Sequence, residues 1–79
     1  MKNVWMVKYY EWNEEEENYH EKYSQLYGAK LKARRSAIEY ITHILDERKV
    51  NTNEYSKDFF TVTGDDGIGH CVISKQLVL

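Results

Sequence analysis

Apolar and polar positions divide the 79-residue chain into short segments that predict several strands and one helix. Residues 4–12 are dense in β-branched and aromatic side chains and too short for an isolated helix, so they predict a strand. Both faces of this segment carry apolar groups, as is typical of a strand near the middle of a sheet.

Residues 13–28 fit two structures. Tyr19, Tyr23 and Tyr27 recur every four residues, which suits one face of a helix and equally one face of a strand. The helical alternative uses Asn13 as the N-cap and Gly28 as the stop. The other alternative makes 13–18 a solvated hairpin tip, followed by a tyrosine-rich strand. Because tyrosine has the better strand propensity and the first strand needs a neighbour, the hairpin is favoured.

The clearest helix signal follows. Ser36 and Glu39 form a Ser-x-x-Glu capping box in front of an apolar stripe at Ile38, Ile41 and Leu45. The pattern predicts a helix over 36–48, with a weaker continuation back to about residue 29. Cations at 48–49 suit the negative end of the helix dipole.

The last third predicts a loop and a hairpin. Residues 50–53, of which 51–53 are polar, predict the loop. Residues 58–63 and 70–75 predict strands joined by the Asp-Gly turn within 64–69. Residues 76–79 extend the final strand. The whole chain, 1–79, is therefore predicted to be one α+β domain of order ββαββ, with one helix packed on a mostly antiparallel sheet. A helix over 14–27 would give βααββ instead.

Composition places the chain among ordinary globular proteins. It is 42% hydrophobic and 30% charged, with a net charge of -2, which does not fit a disordered segment. No apolar run is long enough to span a bilayer, and the N-terminus lacks a signal-peptide core. The single Cys71 cannot form an internal disulfide, which fits a reducing compartment. We expect a cytoplasmic protein without membrane contact.

The charge is unevenly distributed. Residues 1–28 carry a balance of -3, residues 29–50 a balance of +3 and residues 51–79 a balance of -2. One basic patch results, formed by Lys30, Lys32, Arg34 and Arg35. Phosphate contacts by this patch, with stacking tyrosines, make direct nucleic-acid or nucleotide binding the alternative function.

Aromatic and acidic residues predict the main interaction surface. The chain has seven tyrosines and two tryptophans, and these residue types are enriched where proteins touch partners. We expect Trp5, Tyr40 and Phe60 in the core, and Trp12, Tyr19, Tyr23 and Tyr27 at the surface. A run of four glutamates would steer the chain towards a basic partner. The predicted partner-binding residues are Trp12, Glu14, Glu15, Glu16, Glu17, Tyr19 and Tyr23.

The sequence carries no pattern that indicates catalysis. The soft metal ligands His20, His43, His70 and Cys71 are too widely spaced for a zinc site. Cys71 beside a histidine is the only thiol pairing, and no acid is placed to orient it. Asp65 and Asp66 are explained by a turn. We therefore predict a protein that is not an enzyme and needs no metal or cofactor.

In general character, the chain resembles the short accessory proteins of bacteriophages and mobile elements. Like them it is one small domain rich in Glu, Tyr, Asn and Lys, without catalytic motifs. Many such proteins, anti-CRISPR proteins among them, bind and block a host or defence protein. The resemblance implies an inhibitor of a larger factor that handles nucleic acid, acting by steric occlusion or acidic mimicry. It assigns no individual site residue.

Self-association is a further expectation. Leu77, Val78 and Leu79 give the predicted last strand an apolar, uncharged end with no proline. A small domain also gains much by burying aromatic side chains against a copy of itself. The sequence therefore predicts a homodimer through this C-terminal edge or through the tyrosine surface.

Overall fold

Five antiparallel strands and one helix are formed by the residues that the computed structural model describes, 2–45, 50–64 and 67–78. Along the chain they are β1 (Lys2–Asn13), β2 (Asn18–Tyr27), α1 (Lys30–Leu45), β3 (Val50–Ser56), β4 (Phe59–Gly64) and β5 (Gly69–Val78). The strand order in the sheet is β2-β1-β5-β4-β3. The α+β class is confirmed, but the element order is ββαβββ.

The first two strands form the hairpin that strand propensity favours, so the βααββ alternative is wrong. Their register is interrupted between Tyr9, which pairs with Tyr23, and Tyr10, which pairs with Glu21. Lys22 is thus an extra residue in β2. A β-bulge of this kind reverses which side of the sheet the following side chains face. Tyr23 lies on the same side as Tyr9, whereas Tyr19 lies on the opposite side with Trp12.

The helix begins at Lys30, six residues before the capping box and in agreement with the weaker continuation back to about residue 29. Its first turn is closed by the amide of Ala33, which donates to the carbonyl of Ala29 at 3.1 Å. Ser36 is therefore an interior residue, and its hydroxyl bonds with the Tyr27 hydroxyl instead of capping the helix. The stripe at 33, 37 and 41 packs against the sheet, and this packing determines where the helix starts more strongly than the local capping signal does. The predicted end at 48–49 lies outside the described residues.

The predicted loop at 50–53 is wrong, because these residues begin strand β3. The strand pairs with β4 from Val50 opposite Gly64 to Ser56 opposite Phe59. The sequence shows no alternation of apolar and polar residues here, because the strand lies at the edge of the sheet and most of its side chains remain exposed. Polar residues are tolerated at such a position, and the backbone is stabilised by the ladder with β4.

The core lies between the helix and the three strands β1, β5 and β4. Cross-strand rows run Val7–Ile73–Phe60 and Tyr9–Cys71–Val62, all of them buried. The small side chains of Ala33 and Ala37, with Ile41, pack on these rows and are fully buried. Two alanines one helical turn apart let the helix backbone approach the sheet closely. None of the described elements covers the sheet face opposite to the helix.

The last strand is not at an edge. Strand β5 lies between β1 and β4, and its Leu77 and Val78 pair with Asn3 and Lys2 of β1. The ladder with β4 ends at Ser74, so among the described residues 76–78 pair with β1 alone. The strand as a whole is internal, the predicted edge is limited to one side of its last residues, and the homodimer stays a prediction. Leu79 lies outside the described residues. The single helix of the described chain is neither long nor apolar enough to cross a membrane.

Candidate partner-binding surface

The four glutamates form the tip of the β1-β2 hairpin. The turn is closed by the pair Asn13 and Asn18, and the side-chain oxygen of Asn13 accepts a hydrogen bond from the amide of Glu16 at 3.0 Å. Glu17 takes the left-handed conformation at φ 51°, which is unusual for a residue other than glycine, asparagine or aspartate. The side chain of Asn13 thus stabilises a tight turn that orients the carboxylates.

Charge at the tip is largely uncompensated. The carboxylate of Glu16 lies 2.6 Å from the Nε2 atom of His20. Among the described residues, Glu14, Glu15 and Glu17 have no cationic partner, and all three are exposed. Like charges on one tight turn repel each other and make a local negative potential. The tip is therefore available to a cationic partner.

An aromatic cluster adjoins the tip on the uncovered face of the sheet. The Trp12 and Tyr19 rings meet edge to face with centroids 5.1 Å apart, and Tyr19 meets His70 in the same way at 4.6 Å. Tyr10 stacks on His70 at 5.2 Å. Such ring pairs are stabilising beyond the area that they bury. Trp12 and Tyr19 nevertheless remain 39% exposed.

Two long-range hydrogen bonds hold the cluster in place. The amide of Trp12 donates to the carbonyl of Ile68 at 2.8 Å, and the hydroxyl of Tyr19 donates to the carbonyl of Gly67 at 2.8 Å. These four residues line a shallow depression of about 310 Å³. The connection before β5 thereby fixes the end of the hairpin next to its tip.

Of the seven predicted partner-binding residues, six lie together at this end of the sheet and Tyr23 does not. Tyr23 lies on the helix-covered side, partly buried, with its ring stacked 4.7 Å from the ring of Tyr40. A hydrogen bond with Tyr27, together with burial, raises the pKa of Tyr23 to about 12. Tyr27 is also partly buried, so the prediction that both are surface residues is wrong. The bulge at Lys22 causes the difference, because it places Tyr23 on the helix side of the sheet and Tyr19 on the opposite side.

Sequence reasoning missed three members of the surface. Tyr10 and His70 join it because alternate residues of β1 and β5 face away from the helix, and Ile68 joins it through its contact with Trp12. Only the pairing of β1 with β5 brings these segments together. The Asp-Gly turn near 66–67 was the one available signal that a connection would lie close to strand ends. Asp65 and Asp66 themselves lie outside the described residues.

The basic residues of α1 do not form one patch. Lys30 and Arg34, one helical turn apart, line a cavity of about 200 Å³ between α1 and the β3-β4 hairpin. Arg35 lies further around the helix with Leu31 and Ile38. Lys32 is about 200° around the helix from Lys30 and is exposed. The four cations therefore cannot contact one phosphate group together.

The thiol and the histidine next to it face opposite sides of the sheet. Cys71 is fully buried under α1, with its Sγ atom 4.0 Å from the carbonyl oxygen of Ala37, and burial raises the pKa of this thiol to about 12. Such a thiol stays protonated at neutral pH, which makes it a poor nucleophile. Within the described residues, no three His, Cys, Asp or Glu side chains cluster in a way that could hold a metal ion.

Comparisons of the chain with protein-family models, with curated proteins and with solved structures find no match.

Proposed function

We propose that this chain is a non-enzymatic binding domain whose acidic hairpin tip and neighbouring aromatic cluster contact a basic surface of a larger protein. One observation carries the proposal. Three glutamates without a cationic partner in the described chain lie beside two half-exposed aromatic rings that long-range hydrogen bonds hold in place. Together, Trp12, 14–17, Tyr19 and Ile68 form the tip surface.

The two parts of the tip surface do different physical work. The carboxylates accelerate encounter with a cationic partner and lose strength as salt screens them. The aromatic rings supply rigid apolar area, and tryptophan and tyrosine are the residues that most often dominate binding energy in protein interfaces. A tip held in one conformation loses little entropy on binding.

The partner that fits this chemistry is a protein with a positively charged groove, such as one that handles nucleic acid. A narrow acidic tip entering that groove would occupy the place of a phosphate backbone, and the rest of the domain would block access. The resemblance in character to small phage and mobile-element accessory proteins favours a host or defence factor as the target. We therefore propose an inhibitor that acts by steric occlusion, by acidic mimicry or by both.

Retrieval of a partner from host lysate by the tagged protein, identified by mass spectrometry, provides the material for the test. With the purified partner, reversal of all four tip glutamates to lysine is expected to weaken binding by about 100-fold or more and to remove its salt dependence. Unchanged affinity in this variant would rule out the acidic contact. Trp12→Ala measures the aromatic part, with an expected loss of about tenfold.

A matched pair of single variants separates a local effect from a change in net charge. Glu15→Lys, at the tip, and Glu39→Lys, on the exposed side of α1, alter the charge equally. The first is expected to weaken binding by about fivefold, and the second to leave it unchanged. Equal effects of the two variants would indicate that only the overall charge of the domain matters.

Direct nucleic-acid or nucleotide binding is the second candidate. It is favoured by Arg34 and Arg35, which make no ion pair among the described residues. Phosphate contacts release counterions, so this binding would weaken steeply with salt. An electrophoretic shift at low salt that is lost on Arg34→Glu with Arg35→Glu would support it. No shift with single-stranded DNA, duplex DNA or RNA would dismiss nucleic acid.

A further inference from the structure

A second interaction surface lies away from the acidic tip, in the groove between α1 and strand β3. The helix packs over the middle strands of the sheet, and on its side towards β3 the described residues leave a groove. The cavity of about 200 Å³ in this groove is lined by Lys30, Arg34, 52–54 and Phe60. A shallower apolar depression continues it along the helix past Leu31 and Ile38.

The two flanks of the helix differ in how they are filled. On the β2 side, Tyr23 and Tyr27 close the flank by hydrogen bonds and by stacking on Tyr40. Strand β2 is also an edge, but its bulge and its charged residues 20–22 blunt it against pairing. On the β3 side, 52 and 53 carry no charge and belong to the last strand in the order of the described sheet. This edge has weaker protection against an added strand.

The cations of the groove are held in position but only partly neutralised. The ammonium group of Lys30 donates to the carboxylate of Glu54 at 3.1 Å and to the carbonyl of Lys57 at 3.2 Å. The guanidinium of Arg34 lies 5.8 Å from the centre of the Phe60 ring and, among the described residues, has no carboxylate partner. A guanidinium supported by a ring binds a carboxylate in a defined geometry.

Apolar surface lies next to this guanidinium. Leu31 is 75% exposed, the largest exposed fraction among the large hydrophobic residues described, and Ile38 lies near it in the same depression. Arg34 and Ile38 are one helical turn apart, about 6 Å along the axis. Alternate side chains on one face of a strand are about 6.6 Å apart. In a peptide strand that lies beside β3, two side chains that are two positions apart therefore have the spacing needed to contact Arg34 and Ile38.

We propose that an extended peptide segment, carrying an acidic residue two positions from an aliphatic one, docks along β3 as a sixth strand. Its backbone adds to the sheet, its carboxylate contacts Arg34 and its aliphatic side chain packs on Ile38 and Leu31. The carboxylates of Glu39 and Glu54 line the same groove and would repel a continuous phosphate backbone, whereas a peptide needs to present only one anion there. This surface is independent of the tip surface.

A display library of random ten-residue peptides, selected on the wild-type protein, tests the proposal. The expected result is enrichment of Asp or Glu two positions from Leu, Ile or Val. Absence of enrichment, or enrichment of basic peptides, would overturn it. If no peptide is enriched and the protein instead binds a labelled oligothymidine of twenty nucleotides, the proposal would also be overturned, in favour of nucleic acid.

Matched variants locate the contact. Arg34→Glu and Lys32→Glu change the charge equally, but residue 32 lies about 160° away around the helix. Arg34→Glu is expected to weaken the best peptide by about tenfold and Lys32→Glu by less than about twofold. A peptide with lysine in place of its acidic residue should regain affinity for Arg34→Glu. Equal effects of both variants, or no such rescue, would contradict a local ion pair.

Two further measurements test the added strand. In spectra of ¹⁵N-labelled protein, the peptide should shift the amide signals of 52–55 and of α1 more than those of the tip. N-methylation of alternate peptide amides should abolish binding, because a strand needs these donors. Shifts confined to the uncovered sheet face, or tolerance of methylation at every position, would overturn the proposal. Glu15→Lys should leave peptide affinity unchanged, which distinguishes this surface from the tip surface.

Discussion

The hydroxyl of Tyr19 donates a hydrogen bond to the carbonyl oxygen of Gly67, 48 positions further along the chain, at 2.8 Å. This contact joins the tip end of the β1-β2 hairpin to the connection that precedes β5. The neighbouring bond from the amide of Trp12 to the carbonyl of Ile68 has the same effect. The exposed aromatic rings beside the acidic tip thus belong to the folded framework of the sheet.

Removal of this hydroxyl should loosen the connection without unfolding the domain. We expect Tyr19→Phe to lower the free energy of unfolding by about 0.5 kcal/mol, since an exposed hydrogen bond contributes little net stability. The Trp12 amide should exchange faster with solvent, because its acceptor is on the residue next to Gly67. Tyr55→Phe is the matched control, since Tyr55 is 66% exposed. Equal exchange rates in both variants would contradict the role of Tyr19.

Gly67 should be the costlier of two glycines to replace. Its φ is +72°, in the left-handed region, and no atom lies within 4 Å of the place where a Cβ atom would be added. The cost of Gly67→Ala is therefore conformational, about 1 kcal/mol. Gly28 is equally open but does not have a positive φ. Denaturant titration should show Gly28→Ala at wild-type stability or slightly above it, and the reverse order would refute this account.

Two isoleucines of α1 test where the core lies. Ile41 is fully buried, whereas Ile44 is 50% exposed. Ile41→Ala should cost about 3 kcal/mol and Ile44→Ala less than about 1 kcal/mol, because only the first leaves a cavity. If Ile41→Ala does not fold, Ile41→Val should still show a loss of about 1 kcal/mol by thermal or denaturant unfolding. A smaller loss at position 41 than at position 44 would disprove the packing.

Stability should fall on mild acidification because of His70. Burial lowers the pKa of His70 below its ordinary value of 6.5, so the folded state disfavours the protonated ring. The unfolded chain then binds more protons in this range, and the free energy of unfolding decreases as the pH falls from 6.5 through the folded pKa. His70→Gln should flatten this dependence, whereas His43→Gln, on the exposed part of α1, should not.

Direct titration of the histidine ring signals by NMR checks the cause. The His70 signal should titrate below the value of a model peptide, in line with its burial between the stacked ring of Tyr10 and the edge-to-face ring of Tyr19. A normal titration of His70, or an equally flat stability profile in His43→Gln, would show that another group causes the acid sensitivity.

Much of the architecture was determined by local patterns in the sequence. The density of β-branched and aromatic residues in 4–12 and the β-branched runs around 60 and 72 predict strands, because these side chains suit a pleated, partly buried surface. The capping box in front of Ile38, Ile41 and Leu45 predicts one helix, and the strand propensity of tyrosine predicts the first hairpin. From that hairpin follows the exposed acidic tip, with Trp12 and Tyr19 beside it.

Tertiary structure decided the rest, because each remaining feature depends on a partner that is distant in sequence. Pairing with β1 places a bulge at Lys22, which sends Tyr23 and Tyr19 to opposite faces although their spacing predicts a single face. Pairing with β4 makes a strand of the polar segment 50–56. Packing on the sheet starts the helix at Lys30 and makes Ser36 an interior residue. Strand register and position at the edge of the sheet are set by contacts between strands, so the local propensity of a segment does not predict them.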